Sequence, residues 1–374
     1  MSEWKEINVG ETATLSYGKM PKKDLLGQGD YPTFSGYKYQ FLYPKSNCKR
    51  GDLIVVARGV GGTGDVKIIK EDAFLTNLSI KIEFDPGIVD NRFFYYYFSK
   101  QTLRYLDSGS AQSQITIKDL ENESFSFPSL LEQKAIASVL ASFDDKIDLF
   151  QRQNRTLEAM AETLFRQWFI EEAQQDWKEL ALRDILEFVV DNRGKTAPTS
   201  ETGIPLIATN CIKNNNIFPV YEKLRYVSED TYKNWFRAHP MPGDIIFVNK
   251  GTPGSVNLVP DPIDFCIAQD MIALRVNANI NNYYLFLYFR SPTMQSLIFN
   301  ASVGTTIPHL KKTDLLNFPM TIPDMVRQKD FETIVTPFFM KMNKNYLQIR
   351  TLEKLRDTLL PKLMSGEARV EYEN

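Results

Sequence analysis

Residues 132–169 read EQKAIASVLASFDDKIDLFQRQNRTLEAMAETLFRQWF. Apolar or near-apolar residues recur at Ile136, Leu140, Phe143, Ile147, Phe150, Leu157, Ala161, Leu164 and Trp168, with Asn154 at the one remaining position. Steps of four and three alternate, which is the 3.5-residue period of a helix whose apolar seam faces a partner helix. The same chain supplies the partner. Adding 195 to each position lands on Phe331, Val335, Phe338, Met342, Asn345, Ile349, Leu352, Arg356, Leu359 and Leu363. Local identity follows: Arg155-Thr156-Leu157-Glu158 recurs as Arg350-Thr351-Leu352-Glu353. A repeat this long governs the reading of the fold. Two possible breaks are visible. Ser142 with Asp145 fits a capping box, and Thr336-Pro337 fits an N-cap followed by a first-turn proline, so each long helix is expected to divide there.

The chain has 374 residues, enough for two or more domains with their own cores. Hydrophobic content of 43% and charged content of 24% are those of a soluble globular protein. No apolar run reaches membrane-spanning length, and the N-terminus, MSEWKEINVG, lacks the apolar core of a signal peptide. Cys48, Cys211 and Cys266 are far apart and suit a reducing cytoplasm. His239 and His309 form no recognised metal-ligand spacing with them. The net charge of −2 averages unlike parts: residues 1–50 carry 8 basic against 5 acidic side chains, residues 109–175 carry 6 against 11. An acidic helical segment thus offsets a modestly basic globular surface, which permits nucleic-acid binding without demonstrating it.

The globular segments repeat as well. In the first, residues 52–57 (DLIVVA) read as a buried strand ended by Arg58 and a glycine-rich turn, and residues 90–105 as an aromatic-rich helix. In the second, Trp177-Lys178 answers Trp4-Lys5, Gly243-Asp244-Ile245-Ile246 answers Gly51-Asp52-Leu53-Ile54, and the Gly304 loop answers the Gly109 loop. The offset grows from 173 to 192 between the first two matches, which places an insertion in the second copy around residues 210–242.

Each candidate motif has a plainer reading. Residues 59–64 (GVGGTG) fit a dinucleotide-binding spacing, but strand-like Val66-Lys67-Ile68 follows where a helix is required, so a turn between strands is favoured. Gly194-Lys195-Thr196 lacks the upstream glycine of a phosphate loop. Asp52 and Asp244 each follow a glycine and precede an apolar strand, which favours a turn role. The aromatic run at 92–98 could stack on bases; apolar on every side, it reads as a buried helix. Asn154 and Asn345 either fix helix register or sit in solvent. Arg58 and Lys250 occupy equivalent strand ends, where a solvated charge and a phosphate or base contact are equally open readings.

Taken in order and twice over, these features resemble the specificity subunit of type I restriction-modification enzymes. The resemblance rests on Leu131-Glu132-Gln133-Lys134-Ala135-Ile136-Ala137, close to the family's LEEQKxIA element, and on the paired Gly-Asp strands. It also rests on Gly203-Ile204-Pro205, the Gly109 and Gly304 loops, and the LLPKLMSGE ending at residues 359–367. Val326-Arg327-Gln328-Lys329 departs from the element in the second copy. The resemblance covers the whole chain and implies an α+β fold. Two similar target recognition domains (residues 1–128 and 176–322) would be joined by two helical spacers (129–175 and 323–374) that pair as an antiparallel coiled coil, an internal pseudo-twofold repeat. It implies a non-catalytic, cytoplasmic chain that reads a bipartite double-stranded DNA site, one domain per half. Its partners would be two modification (methyltransferase) subunits and ATP-dependent restriction subunits. S-adenosylmethionine, ATP and magnesium would belong to those partners, with no cofactor or metal on this chain.

On this reading the DNA-binding candidates are polar or basic loop residues with donors suited to base edges. They are Lys19, Lys22, Lys23, Arg58, Gln112 and Gln114 in the first copy. In the second they are Arg193, Lys195, Lys213, Asn214, Lys250, Thr305, Thr306 and His309. From Phe143 to Trp168 is 25 helical steps, about 38 Å at 1.5 Å each. One DNA turn is about 34–36 Å, so the helices could set the spacing of the half-sites. A methylation-only or type II-like system, a two-module coiled-coil scaffold that binds proteins, and an enzyme with an unrecognised site remain alternatives.

Overall fold

A computed structural model describes residues 4–36, 38–59, 62–107, 113–192, 194–304 and 306–371. The chain divides into two units, Met1–Ile147 with Thr351–Asn374, and Asp148–Arg350.

In the first unit the strands are β1 (Lys5–Asn8), β2 (Ala13–Tyr17), β3 (Tyr31–Ser35), β4 (Lys38–Tyr43), β5 (Leu53–Val56), β6 (Val66–Ile68), β7 (Phe74–Leu75), β8 (Ser79–Phe84) and β9 (Ser124–Phe127). They form sheets of order β2-β8-β5-β6, β4-β3-β7 and β1-β9. The central strand β5 is apolar throughout because both its faces are covered. Leu53 and Val55 face the cluster built on Phe93, Phe94 and Phe127, whereas Ile54 faces Phe34, Cys48 and Leu75. A strand covered on one side only would alternate apolar with polar.

The second unit repeats this arrangement with β10 (Lys178–Ala181), β11 (Leu186–Val190), β12 (Ile204–Ile207), β13 (Arg225–Val227), β14 (Ile245–Val248), β15 (Val256–Leu258), β16 (Cys266–Ile267), β17 (Met271–Val276) and β18 (Pro319–Ile322). Its sheets run β11-β17-β14-β15, β13-β12-β16 and β10-β18, the same topology strand for strand. The insertion is shared between the β12–β13 and β13–β14 connections, the latter filled by residues 228–244 where residues 44–52 suffice in the first unit. The equivalent β3–β4 connection closes through Gly36 and one further residue, whereas residues 208–224 fill it here. Of the glycine-rich stretch after β5, the described residues 62–64 form a turn: the Gly64 N–H donates to the Val56 carbonyl and the Val56 N–H to the Asp65 carbonyl.

The aromatic helices Asn91–Phe98 and Asn282–Arg290 are buried, as their composition predicts. Each is anchored by the glutamine of the repeated Gln-Lys element. The Gln133 side chain accepts the Asp90 N–H at 3.0 Å and donates to the carbonyls of Ile88 (3.1 Å) and Pro128 (3.0 Å). Gln328, at an offset of 195, accepts the Asn281 N–H at 3.0 Å and donates to the Pro323 carbonyl at 2.9 Å. Both amides are buried, and both complete the entry to an aromatic helix that Asp90 or Asn281 caps.

The long helices span Leu130–Arg166 and Met325–Met364 without interruption, so neither expected break occurs. Ser142 does not cap a new helix; its hydroxyl donates to the Val139 carbonyl within the existing one. Pro337 lies mid-helix on an exposed face, where the Thr333 carbonyl left without a donor can be hydrated. In the second unit the helices run antiparallel: Asn154 meets Asn345 at 2.8 Å, and the Trp168 ring lies 6.2 Å from that of Phe331. In the first unit the Arg356 guanidinium donates to Asp144 at 2.6 Å, on the same descending series. The two asparagines are therefore cross-helix partners. A constant offset matches equivalent positions and hides this, because antiparallel partners share a constant sum.

A seam alone does not describe the buried surface. Ala137 and Ala141 belong to the first unit's aromatic core, and the Phe165 and Phe169 rings pack tilted and edge-on against Tyr284, with centroids at 5.7 and 4.8 Å. Phe339, beside the expected Phe338, stacks on Tyr283 at 4.1 Å. A second helix face thus packs on each globular domain. Among the described residues no helix is long and apolar enough to cross a membrane, and no group of three or more His, Cys, Asp and Glu is placed to hold a metal ion.

Candidate nucleic-acid interface

In the first unit, the end of β2, the start of β8 and the end of β5 coincide, because Tyr17 pairs with Ile80 and Val56 with Ser79. The chain leaving each strand is held there by backbone bonds. Gly18 N–H donates to Ser79 (3.1 Å) and Lys19 N–H to Leu75 (3.0 Å). A side chain at Gly18 would place its Cβ 2.2 Å from the Thr76 carbonyl oxygen, so only glycine allows this approach. The Ala57 and Arg58 N–H groups both donate to the Leu78 carbonyl, at 2.9 and 3.1 Å. The Ile115 N–H donates to Ala57 at 2.9 Å, and Arg58 forms a bridge with Gln114. Asp107 fixes the far side of that loop by accepting the Gln114 N–H at 2.8 Å.

The second unit repeats these bonds. The Asn249 and Lys250 N–H groups donate to the Asp270 carbonyl at 2.9 and 3.2 Å, the Leu310 N–H donates to Asn249 at 2.8 Å, and Lys250 forms a bridge with His309. The pair Arg58–Gln114 in one copy thus stands where Lys250–His309 stands in the other. Four residues chosen from sequence for their donors form two matched pairs at the same end of the same sheet. Arg58 and Lys250 are exposed.

The remaining candidates divide. Lys195, exposed after left-handed Gly194, follows β11 at this same end, and Thr306 is exposed in the hairpin leading to His309. Lys22 and Lys23 are exposed beyond Lys19, with the Lys22 N–H donating to the Tyr43 hydroxyl on the small sheet. Lys213 and Asn214 are placed differently: Lys213 pairs with Glu222 at 3.1 Å, and the Asn214 side chain accepts the Val256 N–H at 2.9 Å along edge strand β15. The structure does not bring them to Lys250. Gln112, Arg193 and Thr305 lie outside the described residues.

Other side chains at this end were not singled out in the sequence. Arg237, exposed in the inserted segment, has its N–H bonded to the Asn192 side chain at 3.2 Å, and Gln269 donates to the Thr196 hydroxyl at 3.3 Å. Lys312 is also present, paired with Asp191. The insertion marks Arg237 as variable between copies, but only the fold returns it to the end of β11.

Asp52 and Asp244 serve as turn residues, accepting the N–H groups of Lys49 and Met241, each at 2.8 Å. Both also meet a cation on the neighbouring strand, Lys81 at 3.0 Å and Arg275 at 2.9 Å. Burial raises the Asp52 carboxyl, but the Lys49 N–H and the Lys81 ammonium outweigh it and hold the group below its ordinary value. The cations are not equivalent positions, since Ile82 and Leu274 pair with Leu53 and Ile245. The two copies reach a like ion pair from different positions on that strand, Lys81 before Ile82 and Arg275 after Leu274. These charges satisfy one another and belong to the scaffold.

Comparison with known proteins agrees with this architecture. A family model described as the type I restriction modification DNA specificity domain matches residues 1–159 and 174–350. The type I restriction enzyme MjaIX specificity subunit of Methanocaldococcus jannaschii is 28% identical over 365 residues, covering 88% of this chain and 79% of the relative. The MjaVIII specificity subunit of the same organism is 21% identical over 410 residues, covering 100% and 94%. The crystal structure of a type I restriction-modification S subunit from M. genitalium shares the fold with a TM-score of 0.66 at 21% identity, covering 96% of each chain. Two matched copies of one recognition scaffold, each followed by a long helix and each matching the same family model, show that the chain belongs to the type I restriction-modification DNA specificity family.

Proposed function

We propose that the chain reads a bipartite duplex DNA site through the two equivalent sheet ends, Arg58–Gln114 on one half-site and Lys250–His309 on the other. The observation that carries this is the recurrence of the same backbone frame in both copies with different side chains on it. A common frame with unlike donors suits two half-sites of unlike sequence. The specificity assignment of the family supports the same reading.

In this reading the chain contributes recognition and no catalysis, and acts in the cytoplasm. Modification subunits supply methyl transfer with S-adenosylmethionine, and restriction subunits supply ATP- and magnesium-dependent cleavage. Phosphate and base contacts separate by assay. Purified chain with its modification subunits is titrated with duplex DNA across a salt series. Arg58→Ala and Lys250→Ala are each expected to weaken binding while assembly with modification subunits is retained. A phosphate contact lowers the salt slope by about one without altering base preference; a base contact relaxes preference in one half-site only. Unchanged affinity and preference in both variants at moderate salt would remove this sheet end from the interface.

A further inference from the structure

The two copies differ in residue type at four positions matched by sequence, of which Ser108 and Gln112 lie outside the described residues. The offset of 195 pairs Arg104, Ser108, Gln112 and Gln114 with Phe299, Val303, Ile307 and His309. The packing supports this match beside the first pair: Gly64 lies against the backbone at Leu103, and Gly254 against Ile298. Three polar residues in the first copy are thus apolar in the second. Those three are exposed, Phe299 by 81%, Val303 by 49% and Ile307 by 54%. A lone exposed apolar side chain is ordinary. Here two stand on one hairpin and the third at the end of the helix Pro292–Ala301 that leads into it. Val303 and His309 exchange backbone hydrogen bonds at 2.9 and 2.8 Å, and His309 also bridges to Lys250. The apolar tip is therefore built onto the cationic strand end.

We propose that the second copy reads thymine through its 5-methyl group, with Ile307 and Val303 as specificity-determining residues, while the first copy reads its half-site by hydrogen bonding. This rests on the DNA-reading assignment above. Thymine is the one base that offers an apolar group in the major groove, so an apolar tip held beside a cation is complementary to it. The polar set in the first copy has donors and acceptors for base edges instead.

The test uses the full chain with its modification subunits and a randomised duplex library. The half-site whose preference Ile307→Gln alters is assigned to the second copy, and no change of preference in either half-site overturns the proposal. The selected site is expected to contain thymine there, and replacing that thymine by deoxyuridine, which lacks only the methyl, should weaken binding about fourfold. In Ile307→Gln the same replacement should cost less than about twofold, with the selected base changed at that position. Val303→Thr, which keeps the side-chain shape, provides a second variant with little risk to folding. Equal binding of thymine and deoxyuridine duplexes, or no thymine in that half-site, overturns the proposal while leaving DNA recognition intact. Absence of salt-dependent duplex binding would instead overturn the assignment on which it rests.

Discussion

Replacing Gln133 by leucine should destabilise the first unit at a predictable place. The side chain is buried and makes three hydrogen bonds, to the Asp90 N–H and to the Ile88 and Pro128 carbonyls. Leucine fills a similar volume but bonds to none of them. At about 1 kcal/mol net per bond, the loss is about 3 kcal/mol, and more where a stranded group stays dry. For a unit of this size each kcal/mol moves the melting midpoint by about 2–4 °C, so a fall of about 6–12 °C is expected. Thermal unfolding followed by circular dichroism reads the shift. Hydrogen exchange locates it: protection should drop first at Asp90 and the opening turn of the helix Asn91–Phe98. Gln328→Leu should act in the same way in the second unit but more weakly, with two such bonds lost. A midpoint for Gln133→Leu within about 2 °C of wild type, with exchange at Asp90 unchanged, would refute the idea that the Gln-Lys element holds the aromatic helix.

Other outcomes follow from the same contacts. Asn345 bonds to Asn154, but its side-chain oxygen is buried without a partner, so Asn154→Leu with Asn345→Leu should raise the melting midpoint by a few degrees; a fall would show that the pair stabilises more than it specifies. Pro337→Ala restores a helical donor at an exposed position and should stabilise by about 2 kcal/mol in denaturant titration, whereas destabilisation would mean that the proline geometry is required. The Asp52 carboxyl is held below its ordinary value, so its contribution is present above about pH 4 and lost as the pH falls through the folded value. Asp52→Asn should therefore be less stable than wild type at pH 6 and converge with it as the pH falls through the folded value; a constant gap would exclude the carboxylate as the cause. Inserting seven residues into both long helices preserves the seam and should lengthen the spacer between half-sites in the methylated motif. An unchanged spacer would end the ruler hypothesis.

The sequence exposes the repeat because translation along the chain preserves it. Gly243-Asp244-Ile245-Ile246 and Gly51-Asp52-Leu53-Ile54 have like neighbours, and so do the two Gln-Lys elements. It misjudges the helices at Ser142 and Pro337 because capping signals are local, whereas packing on both faces of the long helices continues through them. It does not distinguish Lys213 and Asn214 from Lys250. All three are polar loop residues, and only the pairing with Glu222 and Val256 separates them.

By itself the sequence determines the duplicated order of elements, the buried strands β5 and β14, and the 3.5-residue seam, since each is written in residue types at fixed spacing. Tertiary structure alone decides which loops converge. Arg58 meets Gln114, and Lys250 meets His309, because the strand register brings the ends of β5 and β14 beside the returning loops. It likewise joins Asn154 to Asn345, a contact set by antiparallel packing and not by the repeat. Spacing along a chain is a one-dimensional property, whereas a recognition surface depends on which backbone carbonyls, such as those of Leu78 and Asp270, hold distant segments together.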